Sequence, residues 1–542
     1  MTNLLRAVLK LLFPIVIGLL IGCGGGGGGG DSGGDVAADT TPPPVPAGLT
    51  ATAVSASQID LAWSASNDAQ GYKIYRDGTF YRDVFGATTL QDLNLTANTS
   101  YSYSVAAFDS AGNVSGQSAV VRATTLITAT ALLGTGTNDY GRGVAVDSSG
   151  NIYVSGWTSG NLDGIANPGG ADVFLVKYNS SGIKQWTKIL GTTGVVDPNA
   201  GGDMGSYGLN AAIDSARSYV YVTGYTTADM GGQVHSNPGV RHAFLFRCKL
   251  DGTLPGTAAL FGGAYDSAGN AVAVDANGNV YVAGYTSGPN GKDILLLKYN
   301  SSLVFQADRP IGSVGNGDDV ATAVAVSEDG YAVYLTGLTG GVLPLNLLTA
   351  GYSGGGDLFL AKFDAVPNLQ WTTYLGSSAM DAGLAISVQR TSIKVAGMTS
   401  GALPGKTSAG GNDIIVASYN DAGAVNWIQQ YGTAADDVAY GIVVDSIGNS
   451  YVSGFTSGNL SPFKPNAGLE DLFMARLSIG GGVFSYSLAG TTAGDEGRAI
   501  AIRESDSLLY VVGFTGGNLD GLANAGGYDT SLLKFNLEGV QQ

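Results

Sequence analysis

Short runs in which apolar and polar residues alternate fill the chain from about residue 58 to its end, and turn-forming residues separate them. Alternation with a period of two puts every second side chain on one face of a strand, so the pattern predicts β-strands. The first predicted strands are 58–63, 72–75 and 101–107. The Asp77–Gly78 dipeptide predicts a tight hairpin turn, because these residue types tolerate a positive φ.

A block of about sixty residues recurs seven times after residue 127. Its most regular segment is of the type NVYVAGYTSG, and the copies begin at residues 151, 219, 279, 332, 392, 449 and 508. A segment of the type VAVD precedes each copy, a segment of the type DLFLAKFD follows it, and a fourth contains tryptophan in three repeats. Four short strands per repeat predict one blade of a β-propeller.

The two ends of the repeat region are complementary. The last repeat stops at residues 536–542, where its fourth strand should begin, and an additional strand at 127–133 precedes the first repeat. Because an unpaired sheet edge promotes association, we expect the N-terminal strand to complete the last blade.

Two parts of the sequence resemble known protein families. The repeats resemble the bacterial β-propeller repeats of the SBBP kind. The Leu61 and Trp63 pair, the GYKIYRDG segment at 71–78 and the tyrosine at 101 resemble a fibronectin type III domain. The expected fold is therefore all-β: a fibronectin type III β-sandwich at 45–126, followed at 127–542 by a seven-bladed β-propeller closed by an N-terminal strand.

The N-terminus carries a targeting pattern. Arg6 and Lys10 accompany an apolar run at 11–22, which is too short to span a membrane. The run ends Leu-Ile-Gly-Cys and resembles the lipobox of bacterial lipoproteins. That resemblance implies a signal peptide at 1–22 and lipid attachment at Cys23, and the Gly24 that follows implies the outer membrane or cell surface. Glycine-rich and proline-rich residues at 23–44 predict a flexible tether.

Composition excludes several classes of function. Charged residues make up 13 % of the chain, and 26 basic residues face 43 acidic ones for a net charge of −17, so we expect no nucleic-acid partner. The chain has two histidines, which leaves little material for a zinc site or a histidine-dependent triad. We expect His235 and His242 to lie in a solvent loop, with a binding surface as the alternative, and Cys248 to be a buried, inert thiol.

Acidic residues recur where the first and third strands of the repeats begin, and these loops should share one face. Hard cations prefer oxygen ligands, so Ca²⁺ is one interpretation; the other is that each carboxylate accepts hydrogen bonds from loop N–H groups. We expect no cofactor, with Ca²⁺ as the alternative. The candidate ligands are Asp139, Asp172, Asp318, Asp319, Asp436, Asp437 and Asp471.

Another repeat position follows the glycine of the second strand and is usually aromatic. These residues could form a sugar-stacking platform, but Leu338 and Met398 replace the aromatic ring in two repeats, so we expect packing between blades. The preceding glycines then fit a close approach of neighbouring blades. The aromatic and apolar residues are Trp157, Tyr225, Tyr285, Leu338, Met398, Phe455 and Phe514.

The leading functional hypothesis is a lipid-anchored, non-catalytic binding or scaffold protein whose partner, a protein or a glycan, is unassigned. Near-identical repeats favour it, because an active site usually breaks repeat symmetry. The alternative is a hydrolase or lyase that acts on extracellular polysaccharide. No catalytic residue stands out, and the least regular loops, 228–242 and 342–356, are where a site is expected.

Overall fold

The structure, a computed structural model, describes residues 38–542 apart from short gaps. The gaps are 56–57, 94, 96–98, 126–129, 168–169, 191–209, 228, 231–232, 235, 238, 257, 315–316, 346–351 and 462–463. The signal segment, Cys23 and the glycine tract lie outside the described residues. Within them, no helix is long and apolar enough to cross a membrane.

Contacts divide the described chain into two compact units. The first contains residues 38–50, 62–89 and 103–121, and the second contains 51–61, 90–102 and 122–542. Strands in the first 124 residues form a sheet of order β1-β2-β5 and a sheet of order β4-β3-β6-β7. They are β1 (Thr50–Ser55), β2 (Gln58–Ala62), β3 (Gly71–Arg76), β4 (Thr79–Phe85), β5 (Thr89–Leu93), β6 (Ser100–Phe108) and β7 (Val121–Thr124).

The three strands predicted in this region are confirmed as β2, β3 and β6, with ends shifted by one residue. The predicted hairpin is confirmed too: β3 pairs antiparallel with β4. Asp77 and Gly78 between them have φ values of 51° and 78°, which is the left-handed region that such a turn requires.

The repeat region forms seven four-stranded antiparallel sheets, called sheets 1 to 7 here. Sheet 1 contains β9 (Asp139–Val146), β10 (Ile152–Thr158), β11 (Asp172–Tyr178) and β12 (Lys184–Leu190), and sheet 2 contains β13 (Ala211–Asp214), β14 (Tyr219–Thr226), β15 (His242–Lys249) and β16 (Ala258–Phe261). Sheet 3 contains β17 (Ser267–Val274), β18 (Val280–Gly288), β19 (Gly291–Tyr299) and β20 (Phe305–Ile311). Sheet 4 contains β21 (Asp319–Val326), β22 (Ala332–Thr339), β23 (Asp357–Asp364) and β24 (Leu369–Leu375).

Sheet 5 contains β25 (Asp381–Gln389), β26 (Ser392–Thr399), β27 (Asp413–Asn420) and β28 (Val425–Tyr431). Sheet 6 contains β29 (Asp437–Val444), β30 (Ser450–Thr456), β31 (Asp471–Leu477) and β32 (Val483–Ala489). Sheet 7 contains β33 (Asp495–Arg503), β34 (Leu508–Thr515), β35 (Asp529–Asn536) and β8 (Thr130–Leu133). The described helical segments are two 3₁₀ turns, Leu162–Gly164 and Glu504–Asp506.

Sheet 7 combines the two ends of the repeat region. Strand β8 pairs antiparallel with β35, and Ala131 lies opposite Leu532. The strand expected to supply the missing fourth position therefore occupies it. First strands of successive sheets contact one another, and β33 of sheet 7 contacts β9 of sheet 1, so the contacts between sheets form a cycle.

Apolar cores lie between neighbouring sheets. Strand β10 is buried along its whole length, which means that both of its faces are covered. One core cluster combines Tyr153 and Val173 of sheet 1 with Val220 and Phe244 of sheet 2. Burial of both faces leaves few strand positions free to carry charge, which accounts for the low charged fraction of the chain.

The first strand of six sheets contains a β-bulge at one equivalent position. In sheet 1 the pairing skips Arg142, because Gly143 lies opposite Ser155 and Gly141 lies opposite Gly156. A bulge leaves one residue unpaired and turns its side chain away from the ladder. The bulged residues are Arg142, Asn270, Thr322, Leu384, Tyr440 and Arg498.

The expected role of the second-strand glycines needs correction. A Cβ added to Gly284 would lie 1.8 Å from the carbonyl oxygen of Ala268, and one added to Gly397 would lie 1.9 Å from that of Ala382. Each oxygen belongs to the bulged first strand of the same sheet. The glycines therefore accommodate the bulge within a sheet, rather than a close approach of neighbouring sheets.

Candidate functional site

The six bulged residues all line one cavity of about 440 Å³, called the central cavity here. Its volume lies in the range of about 300–1,000 Å³ that is usual for small-molecule sites. Branched aliphatic residues from the first strands form much of the remaining wall. They include Val144, Val272, Val324, Ile386, Ile442 and Ile500.

Three charged residues form a cationic cluster at one side of this cavity: Arg142, Glu496 and Arg498. Arg498 Nη2 and Glu496 Oε2 form an ion pair, and their side chains are 9 % and 14 % exposed. Arg142 is also buried. The Nε and Nη1 atoms of Arg498 are buried without a hydrogen-bond partner among the described residues.

Aromatic rings surround the two guanidinium groups. The Arg498 guanidinium lies 3.9 Å from the ring centre of Tyr440 and 5.5 Å from that of Phe514. The Arg142 guanidinium lies 5.4 Å from the ring centre of Tyr140. Such contacts stabilise a buried cation.

Burial shifts the titration of this cluster. Burial lowers the pKa of Arg142 to about 9, and the neighbouring positive charge of Arg498 lowers it further in the same direction. Burial raises the pKa of Glu496, while Arg498 and Arg142 oppose that rise. Burial also raises the pKa of Tyr440, so its phenol keeps its proton at neutral pH.

Bulged residues elsewhere in the ring use their polar atoms for the fold. Asn270 Nδ2 donates to the carbonyl oxygen of Ala321 in the next sheet, at 2.8 Å. Thr322 Oγ1 donates to the carbonyl oxygen of Thr336, at 3.1 Å, and also to that of Gly383. Polarity at these two positions is explained by contacts between strands.

Sequence analysis did not identify the cationic cluster. A signal was present: within first strands of nearly constant pattern, one position varies among arginine, asparagine, threonine, leucine and tyrosine. Variation at one position of a repeating strand indicates that this side chain does not take part in the packing that keeps the neighbouring residue types constant. Only the bulge shows that this position faces the cavity.

The recurring aspartates do lie at one edge, as predicted. In five sheets, the last threonine of the second strand lies opposite an aspartate of the first strand and opposite an aspartate of the third strand in the strand register. All ten of these aspartates are buried. The trios are Asp139–Thr158–Asp172, Asp319–Thr339–Asp357, Asp381–Thr399–Asp413, Asp437–Thr456–Asp471 and Asp495–Thr515–Asp529.

These carboxylates accept hydrogen bonds from their own loops. Oδ2 of Asp437 accepts from the Thr433 N–H at 2.5 Å, and Oδ2 of Asp471 accepts from the Ala467 N–H at 2.7 Å. In six further aspartates, Oδ2 likewise accepts a hydrogen bond from the backbone N–H of the residue four positions earlier. They are Asp139, Asp357, Asp381, Asp413, Asp495 and Asp529. Asp319 accepts from the Ser313 N–H at 2.6 Å and from Gly340 N–H at 3.1 Å.

The remaining candidate ligands differ in environment. Asp318 Oδ1 accepts from the Lys292 N–H at 3.0 Å, and Asp436 Oδ1 accepts from the Asn412 N–H at 2.8 Å. Each of these bonds joins a loop to the preceding sheet. Asp172 is fully buried at the start of β11. The seven candidates are thus distributed over different sheets rather than gathered at one ion-sized point.

A different acidic group lies in the first compact unit. One carboxylate oxygen from each of Asp39, Asp68 and Asp109 lies within 4.8 Å of the others. Asp109 also accepts a hydrogen bond from the Asn113 N–H at 2.9 Å. Sequence analysis missed this group because successive members are about 30 to 40 residues apart in the chain, well beyond the spacing of a single calcium-binding loop.

Three expectations about single residues have different outcomes. Cys248 is fully buried, and burial raises the pKa of its thiol to about 12, as expected of an inert thiol. His242 is not in a solvent loop: it is 2 % exposed, begins β15 in the place that aspartate takes in other sheets, and its Nε2 lies 3.2 Å from the Gly263 oxygen. His235 and parts of the loops 228–242 and 342–356 lie outside the described residues.

The aromatic position after the second-strand glycine packs between sheets, as predicted. Phe514 of sheet 7 lies 4.6 Å from Tyr140 of sheet 1, measured between ring centres, and Trp157 stacks on Tyr140 at 4.5 Å. Tyr225 and Tyr285 of successive sheets share one apolar cluster. These rings are therefore covered rather than presented as a flat platform.

Known proteins are similar to parts of this chain. Exoglucanase B of Cellulomonas fimi is 45 % identical over 93 residues, which are 16 % of this chain and 8 % of the exoglucanase. Chitinase Chi52 of Paenibacillus xylanexedens is 40 % identical over 87 residues, or 16 % of each protein. The chain thus covers less than a fifth of the length of these relatives.

Among solved structures, polysaccharide lyase Uly1 aligns with 73 % of this chain and 90 % of its own, at 12 % identity and a TM-score of 0.39. Three segments, residues 124–163, 258–291 and 426–461, match the family model of the SBBP β-propeller repeat. The chain therefore contains SBBP β-propeller repeats within an all-β fold.

Proposed function

We propose that this protein is a lipoprotein of the bacterial outer membrane or cell surface that binds a partner without catalysis. In this proposal Cys23 carries the lipid, residues 23–44 are the tether, and a fibronectin type III domain at 45–126 is a spacer. Residues 127–542 form a closed seven-bladed propeller that presents the binding site. We propose further that nucleic acid is not a partner, given the net charge of −17.

Several observations support the two domains. Sheets of order β1-β2-β5 and β4-β3-β6-β7 have the three-plus-four strand composition of a small antiparallel sandwich. For the propeller, the support is the seven four-stranded sheets, the contact of β33 with β9, and the pairing of β8 with β35.

One observation carries the non-catalytic role: the best-placed carboxylates are used by the fold in the same way in five sheets. A glycosidase needs two carboxyl groups in contrasting environments, so that one donates a proton while the other stays ionised. In nine of the ten paired aspartates at one edge of sheets 1, 4, 5, 6 and 7, Oδ2 accepts an N–H bond from the residue's own loop. This repeated use of one carboxylate oxygen by the fold supports the non-catalytic role.

A polysaccharide hydrolase or lyase is the second candidate. The names of similar proteins favour it, since they include an exoglucanase, chitinases and an α-amylase. The central cavity, with its two arginines, would then be the place of reaction. Against this candidate, burial raises the pKa of Tyr440, so its phenol holds its proton more tightly than an ordinary tyrosine does.

Localisation and turnover test the proposal separately. The full chain, produced in a Gram-negative host, is expected in the outer-membrane fraction, and Cys23→Ser is expected in the soluble fraction, with Cys248→Ser as the matched control. Recovery of Cys23→Ser with the membrane contradicts lipid anchoring. The full chain is then incubated with neutral and acidic polysaccharides while reducing ends and unsaturated products are measured. Turnover would replace the binding function by the enzymatic one.

A further inference from the structure

Buried carboxyl groups meet in pairs where neighbouring sheets join. Between sheets 4 and 5, the Asp381 N–H donates to the carbonyl oxygen of Gly356 at 2.8 Å, and Gly356 immediately precedes Asp357. Asp357 begins the third strand of sheet 4, Asp381 begins the first strand of sheet 5, and both are fully buried. The backbone therefore holds two buried carboxyl groups close together at this boundary.

Three further boundaries repeat this arrangement. The first-strand aspartate donates its N–H to the residue that precedes the third-strand aspartate of the preceding sheet. These bonds measure 2.7 Å between sheets 5 and 6, 2.8 Å between sheets 6 and 7, and 2.6 Å between sheets 7 and 1. Each aspartate is at most 1 % exposed. The pairs are Asp413 with Asp437, Asp471 with Asp495, and Asp529 with Asp139.

One carboxylate oxygen of the third-strand aspartate is unused. Oδ2 of Asp357 accepts from the Ser353 N–H at 2.6 Å, whereas its Oδ1 is buried without a hydrogen-bond partner among the described residues. That Oδ1 lies against Gly376, because a Cβ built there would be 2.4 Å away. The next residue, Ser377, donates its N–H to Asp381 at 2.6 Å. The unused oxygen of Asp357 therefore lies beside the backbone that binds Asp381.

The boundary between sheets 5 and 6 shows the same contact. A Cβ built on Gly432 would lie 2.4 Å from Oδ1 of Asp413 and 3.0 Å from Oδ2 of Asp437, so one glycine touches both carboxyl groups. Oδ1 of Asp413 is likewise buried without a partner in the described part of the chain, as are those of Asp471 and Asp529. Buried polar atoms are nearly always satisfied, so equivalent unsatisfied oxygens at four boundaries need a common explanation.

No cation neutralises the pair between sheets 4 and 5. Neither Asp357 nor Asp381 is paired with a lysine, arginine or histidine of the described residues. The titratable groups on the surrounding strands are Asp319 of β21, Tyr374 of β24 and Asp413 of β27, and none of them is a cation. Two buried carboxylates without a counter-charge are costly. One proton reduces their repulsion and supplies a donor for an unused oxygen.

We propose that the two carboxyl groups at each of these four boundaries share one proton in acid, and that this proton holds neighbouring sheets together. The pair takes up the proton from solvent and changes from two negative charges to one. The protonated group then donates a hydrogen bond to the other, so repulsion across the boundary becomes attraction. Near neutral pH the proton is lost and the boundary opens more often. This pH-dependent latch goes beyond the proposed binding function and does not depend on it.

Hydrogen exchange of the full chain tests the latch, because protection against exchange measures the free energy of local opening. Burial, together with the charge of Asp381, raises the pKa of Asp357 to about 6. The closed boundary therefore binds its proton more tightly than the open one. At the Ser377 and Asp381 amides, protection corrected for intrinsic rates should be about tenfold higher at pH 5 than at pH 7.5. Equal protection at the two pH values would overturn the proposal.

The boundary between sheets 2 and 3 is an internal control. His242 begins the third strand of sheet 2 and Ser267 begins the first strand of sheet 3, so no carboxyl pair forms there. The Ser267 N–H still donates to the Arg241 carbonyl oxygen at 2.8 Å, which keeps the backbone contact the same. The Ser267 amide should gain no protection in acid. A gain as large as that at Asp381 would mean that acid acts on the whole ring, and the proposal would be wrong.

Variants separate one shared proton from two independent ones. Asparagine resembles a protonated aspartate in shape, so Asp381→Asn should abolish the pH dependence at this boundary as completely as Asp357→Asn/Asp381→Asn does. Asp364→Asn, at the opposite end of β23, is the matched control and should keep the rise seen in the parent. If Asp381→Asn keeps half of the rise and only the double variant abolishes it, the carboxyl groups titrate independently, which contradicts sharing.

Calcium chloride distinguishes a proton from a metal ion as the species that joins the pair. The exchange measurements are made with EDTA at one sodium chloride concentration. Replacement of EDTA by Ca²⁺ at pH 7.5 should leave protection at the Ser377 and Asp381 amides unchanged. If Ca²⁺ raises that protection as acid does, a cation joins the carboxylates and the proposal fails.

Discussion

The carbonyl oxygen of Tyr140 occupies the space that a side chain at Gly156 would need. A Cβ built on Gly156 would lie 2.0 Å from that oxygen, far inside van der Waals contact. Five other sheets repeat the relationship, with distances of 1.7 to 2.0 Å, at Gly284, Gly337, Gly397, Gly454 and Gly513. In each sheet the oxygen belongs to the residue two positions before the bulged residue. The absence of a side chain at this glycine therefore makes room for the bulge that directs the next side chain but one into the central cavity.

We predict that Gly156→Ala destabilises the protein by about 1–3 kcal/mol or more, because the contact is with backbone, which cannot rotate away. The measurement is the free energy of unfolding in urea. Gly263→Ala is the control, since nothing lies within 4 Å of a Cβ at that residue. Equal stabilities of the two variants would show that the first strand shifts freely.

Removal of residues 127–133 should lower the melting temperature and promote oligomers, because it exposes the edge of β35. The melting temperature and the mass from light scattering are the measurements. A synthetic peptide with the sequence of 127–133, added to the shortened chain, should restore both, whereas a scrambled peptide should not. An unchanged melt would exclude a closing role for this strand.

Acidification from pH 7 to pH 5 should stabilise the fold. Burial raises the pKa of Asp357 to about 6, and nearby Asp381 contributes in the same direction. The folded state then binds the proton more tightly than the unfolded state, so the gain is complete below about pH 4 and is lost as the pH rises through about 6. Burial also raises the pKa of Asp139, Asp437 and Asp495.

Urea unfolding at several pH values measures this slope, and Asp357→Asn should reduce it. Asp364→Asn is the control: burial tends to raise the pKa of Asp364, but hydrogen bonds from Asn368 outweigh it and hold the pKa below its usual value. That group is already ionised in both states above pH 5. Greater stability at pH 7 than at pH 5 would contradict the prediction.

Lys394→Met should stabilise the protein by about 1–3 kcal/mol, because it removes a buried ammonium group that has no carboxylate partner among the described residues. Lys394 is 2 % exposed, its Nζ donates to Ser418 Oγ at 2.8 Å, and burial lowers its pKa to about 8. The equivalent residue in the other six sheets is tyrosine.

The pH dependence provides an independent check on Lys394. Its pKa is lower in the folded state, so the parent should gain stability as the pH rises from about 8 to 10, and Lys394→Met should lose that gain. Lys249→Met, at an exposed lysine, serves as the control. A variant less stable than the parent would show that the hydrogen bond to Ser418 outweighs the cost of burial.

Addition of Ca²⁺ should leave the melting temperature unchanged, in keeping with the proposal that no cofactor is needed. Oδ2 of Asp437 and Oδ2 of Asp471 already accept N–H bonds from their own loops, so a cation would have to compete with these bonds. A rise in melting temperature would restore the calcium interpretation. Asp39→Asn and Asp318→Asn would then locate the ion, in the first compact unit or in the repeat region.

Local patterns predicted the strands and the repeat, but not the contents of the cavity. Alternation and the Asp77–Gly78 turn are set by neighbours in sequence, and both are present in the structure. Arg498 was not recognised as special because its orientation depends on a bulge. The expectation for the second-strand glycines was wrong about which strand lies against them. A recurring glycine indicates that no side chain fits at that position, but it does not show whether the nearby backbone belongs to the same sheet or to the next one. His242 was misjudged although it aligns with the aspartate that begins other third strands.

Strands β8 and β35 are about 400 residues apart in the chain, yet they are neighbours in one sheet. During synthesis, the first of these strands leaves the ribosome before any other strand of the seven sheets, and its partner leaves after all six other sheets. Sheets 1 to 6 can each form from contiguous chain, whereas sheet 7 must wait for β35. The emergence of β35, rather than any local event near β8, therefore sets the earliest moment at which sheet 7 can be completed.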